Sequence, residues 1–272
     1  MRSILLHIHE DDGMEARFQA ALDLARRFDS HITCLQAVPY EFGVPGDLYF
    51  SMAMEMAATF RETADQFQEK LESRLATEDV RWDWVRRKGD AIDEINHLAP
   101  LSEIVVLGAS NPVGEPAHPS RLATETVVTV RAPVLVVPSS AKMFSMQVPA
   151  VVAWNGSAES GHALQAALPI LREASEVHIH SVRETKARDS RRLTTSDAAK
   201  FLARHDIEPL ITELALNDEG SIAATLIDAA QIRRAGVIVM GAYGRSRFRE
   251  RVLGGVTREM LSDPAIPLLL SH

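Results

Sequence analysis

Short apolar runs alternate with longer amphipathic stretches along this chain, and the alternation runs through twice. In the first half the apolar runs fall at 4–8, 32–38, 80–85, 104–107 and 134–137. They lack the strict polar alternation of a half-exposed strand, which predicts strands buried on both faces. Between them, apolar residues recur at helical spacing over 14–28, 52–76, 91–98 and 122–130. A second round opens near Pro149, with strands predicted at 150–154, 177–182, 209–214, 237–240 and 267–270. Its helical patterns cover 158–171, 195–205, 221–232 and 256–261. Strands that alternate with helices need crossover connections, so each half predicts a parallel sheet with helices on both faces. The expected fold class is α/β, two tandem doubly wound domains.

The two rounds share sequence as well as pattern. Gln19-Ala20-Ala21-Leu22 recurs as Gln165-Ala166-Ala167-Leu168, and Val105-Val106-Leu107-Gly108 recurs as Ile238-Val239-Met240-Gly241. Near each end, Arg131-Ala132-Pro133-Val134-Leu135-Val136 answers to Ala265-Ile266-Pro267-Leu268-Leu269-Leu270. The segment between Val38 and Val80 is longer than its counterpart after Val182, which shortens the spacing between later copies. We read a duplicated domain, with boundaries at 1–140 and 147–272 and a polar linker around 139–147 that holds Met143 and Met146.

A formal net charge of −8 gives no basic footprint for nucleic acid. The lone cysteine, Cys34, cannot form an internal disulfide, and its apolar neighbours predict an inert buried thiol. The apolar start at 4–8 is too short for a signal-peptide core, and no run approaches the ~18 apolar residues that span a bilayer. A cytoplasmic location without membrane contact is the expectation.

The chemistry concentrates in the second half. Met240-Gly241-Ala242-Tyr243-Gly244 is followed by nine residues, then by Gly254-Gly255-Val256-Thr257. It joins a predicted strand to a predicted helix, at the sheet end where parallel α/β proteins bind ligands. Glycines there let backbone approach a phosphate, and the first turn of the next helix supplies free N–H groups. Arg245, Arg247, Arg249 and Arg251 lie between the glycine pairs. They read either as phosphate contacts or as a solvated face balanced by Glu250 and Glu259. Asn155, in Trp154-Asn155-Gly156-Ser157 at the end of the first strand, reads as a base or ribose contact or as a turn and helix cap. Composition favours the cap.

These residues resemble the universal stress protein family, whose nucleotide motif is Gly-x-x-Gly, nine residues and Gly, followed by serine or threonine. The Asn-Gly-Ser turn is similar to that family's first-strand loop, often Asp-Gly-Ser. Lys88-Gly89-Asp90 and the terminal Ala-x-x-Pro pattern fit as well. The resemblance implies a five-stranded, Rossmann-like sheet of the adenine nucleotide alpha hydrolase-like type in each half. It also implies ATP, with or without Mg2+, or another adenine nucleotide in the second. Carried over, Ala153 and Asn155 border the adenosine and Val182 packs on the base. Met240, Gly241 and Gly244 line ribose and phosphate, and Arg245 is a phosphate candidate. Gly254, Gly255, Val256 and Thr257 hold the phosphates. Two departures point to modest affinity: Gly255 replaces a usual hydroxyl and Asn155 the commoner aspartate. Pairing of the two final strands across the halves is implied too, making the chain an internal pseudo-dimer. Whether two chains associate stays open.

The first half departs further. Ala109-Ser110-Asn111-Pro112-Val113-Gly114 follows Gly108 without the second glycine in place, and Ser120 stands near the later glycine position. Its first-strand loop, His9-Glu10-Asp11-Asp12, is acidic enough to repel phosphate, with Asp11 or Asp12 a helix cap. A structural or regulatory role is expected of it. The pairs His7/His9 and His178/His180 could each face one side of a strand, but no third ligand is evident, so no metal is expected. No P-loop and no nucleophile–base pair is present in the sequence, so no catalytic residue is named. Met52, Met54, Met56, Phe60 and Phe67 read mainly as a core-covering face, and Trp82 and Trp84 as packing. The leading reading is a nucleotide-responsive stress protein acting on a protein partner. The alternatives are a slow ATP hydrolase and a scaffold or apolar-ligand carrier using the methionine-rich helix.

Overall fold

The computed structural model describes residues 1–38, 50–109, 119–183, 192–216, 220–242, 254–262 and 264–272, with backbone alone over 50–58 and at 60. In the first half the strands are β1 (Ser3–Ile8), β2 (His31–Val38), β3 (Arg81–Lys88), β4 (Ile104–Gly108) and β5 (Val134–Val137). The helices between them are α1 (Met14–Phe28), α2 (Phe50–Leu75), α3 (Ala91–Leu98) and α4 (Arg121–Thr129). The second half repeats the order with β6 (Ala150–Ala153), β7 (Val177–Val182), β8 (Leu210–Leu214), β9 (Val237–Gly241) and β10 (Leu268–Ser271). Its helices are α5 (Ala158–Ala166), α6 (Leu168–Leu171), α7 (Thr195–Ala203), α8 (Ile222–Ile232) and α9 (Gly255–Ser262). The predicted helix over 158–171 breaks at Ala167. Pro169 lacks the N–H that a continuous helix would use there.

The strands form one ten-stranded sheet in the order β3-β2-β1-β4-β5-β10-β9-β6-β7-β8. Every pairing is parallel except β5 with β10, where Val134, Leu135 and Val136 meet Leu270, Leu269 and Leu268 antiparallel. The implied pairing of final strands is therefore present, and it fuses two five-stranded sheets into one. In each half the order reverses beside the first strand, between β1 and β4 and again between β6 and β9. Such reversals splay the loops apart at the strands' carboxyl ends.

Burial follows from this layering. Ile4, Leu6, Ile32, Val106, Val152 and Ile179 face one side with α1, α5, α6 and α7, while Leu5, Leu107, Val151 and Ile238 face the other with α3, α4, α8 and α9. Cys34 lies in the first layer at 0% exposure, and burial pushes its thiol up to about 12. Trp82 and Trp84 pack against this core, and Trp84 Nε1 donates to Gln36 Oε1 at 3.3 Å. The connection at 139–147 is no free linker. Phe144 and Met146 are buried in the core, and the Phe144 amide donates to Asp23 Oδ2 at 2.9 Å. Gly236 exists to let it in: a Cβ there would stand 2.5 Å from the Ser145 carbonyl oxygen.

Candidate nucleotide site

At the reversal between β6 and β9 the sheet carries a row of paired residues. Met240 pairs with Ala153, Ala153 with His180, and His180 with Thr212. Above this row opens a cavity of about 250 Å3. Ala153, Trp154 and Asn155 enter it from the end of β6, His180 and Val182 from β7, and Met240 and Gly241 from β9. Ile222 and Leu226, one turn apart on α8, close one side; Gly254, Gly255, Val256 and Thr257 bring in the start of α9. Ser160 of α5 and Arg192 complete the lining.

Nine residues named from the sequence thus meet in one place: Ala153, Asn155, Val182, Met240, Gly241, Gly254, Gly255, Val256 and Thr257. Gly244 and Arg245 lie outside the described residues, as do Arg247, Arg249 and Arg251. Six lining residues escaped the sequence reading. His180 was legible as a residue two before Val182 and therefore on the same face. Ile222 and Leu226 show the four-residue spacing of a helix face. Trp154, Ser160 and Arg192 carry no such signal.

The loop chemistry sorts the two readings of Asn155. Its Oδ1 accepts from the Ser157 amide at 3.0 Å, and Ser157 Oγ caps α5 by accepting from the Ser160 amide at 3.2 Å. The side chain of Asn155 is a turn former, as composition favoured, and it also borders the cavity. Gly156 has φ +75°, and a Cβ on it would lie 2.3 Å from the Leu193 carbonyl oxygen. Segment 192–193 lies across this turn: Leu193 N donates to Gly156 O at 3.2 Å, Trp154 Nε1 to Leu193 O at 3.3 Å, and Arg192 Nη1 to Asn155 O at 3.1 Å. A guanidinium is therefore fixed at the cavity wall.

The glycines divide into two kinds. Gly241 is demanded by packing, since a Cβ would sit 2.5 Å from the Ser160 amide where β9 meets α5. Among the described residues nothing lies within 4 Å of a Cβ on Gly254 or Gly255, so no described group covers the backbone at the start of α9. N–H groups in a first helical turn have no intrahelical partner and favour anions.

His180 is fully buried, and its pKa is lowered to about 4, first by burial, then by Arg233 and His178. It is a neutral imidazole at pH 7. His178 is held differently: Arg233 Nε donates to its Nδ1 at 3.2 Å, which leaves Nε2–H for Glu176 at 3.0 Å. The rings stack at 5.8 Å, but their polar partners differ. Among the described residues no group of three or more His, Cys, Asp or Glu is arranged to hold a metal.

The equivalent strand ends of the first half carry a buried arginine. Arg17 of α1, 1% exposed, donates through Nε to the His7 carbonyl at 2.9 Å, through Nη1 to Asp11 Oδ1 at 2.6 Å, and through Nη2 to the His9 carbonyl. Asp11 also accepts from the Gly13 amide at 2.9 Å, but Gly13, not an aspartate, is the N-cap of α1. The acidic loop is thus partly neutralised from within. A Cβ on Gly108, the counterpart of Gly241, would lie 2.9 Å from Arg17 Nη1. His7 is buried beside this guanidinium, and its pKa is lowered to about 3 by burial, then by Arg17 and His9.

The fold and this geometry define an α/β protein with a strand-end cavity in its second half. Residues 149–272 match the Universal stress protein family. The second half is thus a universal stress protein domain. Among solved structures, a universal stress protein from Archaeoglobus fulgidus DSM 4304 aligns over 99% of this chain and 97% of its own, with TM-score 0.75 and 15% identity. A Pseudomonas aeruginosa UCBPP-PA14 protein described as a candidate universal stress protein aligns over 99% and 92%, with TM-score 0.60 and 18% identity. At these identities the likeness is one of fold. No curated protein matches the chain in sequence. No helix among the described residues is long and apolar enough to cross a membrane.

Proposed function

We propose that the second half binds an adenine nucleotide, ATP with or without Mg2+, and that the protein acts in stress response through nucleotide-dependent contact with a protein partner. One observation carries the reading. Residues picked out by the glycine motif and the family resemblance, from the ends of three strands and the start of α9, surround one cavity. A volume of about 250 Å3 lies just below the ~300 Å3 at which small-molecule sites begin. It suits the nucleoside portion, with phosphates outside over the backbone of Gly254 and Gly255, which no described group covers. Val182, Ala153 and Met240 offer an apolar bed to a base, and Arg192 a positive charge at the rim. The bound ligand would brace the β6 loop and α9 together, shifting the population of surfaces that a partner reads.

The test is the nucleotide content of the purified protein, denatured and resolved by ion-exchange chromatography, beside Gly254→Asp. That substitution meets no described residue within 4 Å and places a carboxylate where helix starts favour it, so the fold is retained. The same carboxylate repels phosphate. Adenine nucleotide near one per chain in the wild type and none in Gly254→Asp supports the proposal. A protein that neither carries nor takes up ATP overturns it, and phosphate release with Mg2+ would move the reading to a hydrolase.

A further inference from the structure

The cavity contains a polar group that its apolar surroundings do not explain. His180 is 0% exposed and lines the cavity, yet neither Nδ1 nor Nε2 has a hydrogen-bond partner among the described residues. Its polar neighbour across the ladder is the backbone of Thr212; this contact falls outside hydrogen-bond geometry and is the weakest of the influences on its pKa, raising it. His178, two residues earlier on the same face, uses both of its nitrogens within the protein. Buried polar atoms are almost always partnered, and an orphaned one lowers stability. A histidine kept in that state at the floor of a ligand cavity is positioned for a partner that arrives with the ligand.

We infer that His180 hydrogen-bonds the base of the bound nucleotide and so determines which ring the cavity accepts; the inference rests on the nucleotide reading above. Position argues for the base over the phosphates. His180 stands on β7, and β6 separates it from β9, the strand that precedes α9 in the chain. Two strand spacings are ~10 Å, so His180 and the start of α9 touch opposite ends of a ligand. Its neighbours Ala153, Val182, Leu226 and Met240 form an apolar slot that suits a flat ring and not an anion. Because the imidazole is neutral, it offers one N–H donor and one lone pair. The matching ligand atoms are a ring nitrogen or an exocyclic amine of a purine.

The test compares the wild type with His180→Leu and His180→Gln, using ATP and inorganic tripolyphosphate as probes. In wild-type protein carrying 15N-histidine, ATP shifts a His180 ring-nitrogen resonance and tripolyphosphate does not. His180→Leu raises Tm, because the orphaned group is gone, while ATP affinity falls ~10-fold and tripolyphosphate affinity holds. A purely structural histidine would not separate the two probes. His180→Gln, which can donate and accept, recovers part of the loss. ATP bound by the wild type with the ring nitrogens unmoved and His180→Leu unchanged overturns this inference alone. If the wild type binds no ATP, the nucleotide reading falls and this inference falls with it. Should His180→Leu fail to fold, the ring-nitrogen shift in the wild type decides.

Discussion

The two strand-end regions of this molecule answer the same structural problem in opposite ways. Where β1 and β4 diverge, a buried guanidinium from α1 takes the carbonyls of His7 and His9 and the carboxylate of Asp11. Where β6 and β9 diverge, a cavity stands open and the position related to Arg17 by the Gln19/Gln165 repeat is Ala163, also buried. Both halves keep the strand order and the glycine at the end of the fourth strand, but Gly108 admits Arg17 whereas Gly241 admits the first turn of α5. The first half therefore differs by an internal cation as well as by its missing glycine motif. Duplication preserved the sheet while the strand ends changed, because the sheet depends on apolar rows and the ends on a few polar side chains.

The comparison breaks most directly at Arg17. Arg17→Met strands two backbone carbonyls and a carboxylate, and we expect it to cost about 3 kcal/mol or more of stability, read by urea unfolding. A loss under about 1 kcal/mol would mean that the guanidinium does not hold the first half's strand ends together.

Acid sharpens it next. The folded pKa of His7 lies far below its unfolded value, so the unfolded chain binds the extra proton as pH falls. This contribution is complete above about pH 6.5 and shrinks below it, by about 2 kcal/mol between pH 6.5 and pH 5 for this one group. His180 acts in the same direction from the second half, its pKa being lowered to about 4. Unfolding midpoints measured from pH 7 to 5 should fall steadily; a flat profile contradicts the burial of neutral imidazoles. In Arg17→Met the His7 contribution should be smaller, because one of the influences that lowers its pKa is gone.

The smallest effect is a gain. No described residue lies within 4 Å of a Cβ on Gly255, the first residue of α9, so Gly255→Ser restores the hydroxyl usual in the family without a clash among the described residues. One neutral hydrogen bond is worth about 1 kcal/mol, which predicts roughly fivefold tighter ATP binding by calorimetry. Unchanged or weaker binding would place the phosphates elsewhere.

Most of the architecture was legible because it is written in periodicity. The bounds of α1, α3, β5 and β7 match those read from apolar spacing, and the paired final strands followed from the family resemblance. The break at Ala167 was missed because Leu164, Leu168 and Leu171 keep helical spacing across a proline that interrupts the backbone. The segment 139–147 read as a polar linker, yet Phe144 and Met146 dock it; its apolar residues Ala141, Met143, Phe144 and Met146 follow neither strand nor helix spacing and so register as no pattern. Of the cavity, the parts carried by glycine spacing and strand ends were visible. Arg192 comes from a segment without motif, and His180 was read only as half of a metal pair, since nothing in the sequence tells which histidine of the two is partnered. Arg17 looked like one more arginine on a helix; its burial depends on carbonyls ten and eight residues earlier in the chain.

The central claim is that the second half takes one nucleotide, while the first half, with a buried arginine at its strand ends and no glycine motif, takes none. Native mass spectrometry of the wild type with excess ATP tests it by stoichiometry, with Gly254→Asp as the paired sample. One ATP per chain, absent from Gly254→Asp, is the result expected. Two per chain, or one that survives in Gly254→Asp, would place nucleotide outside the second-half cavity and contradict the account.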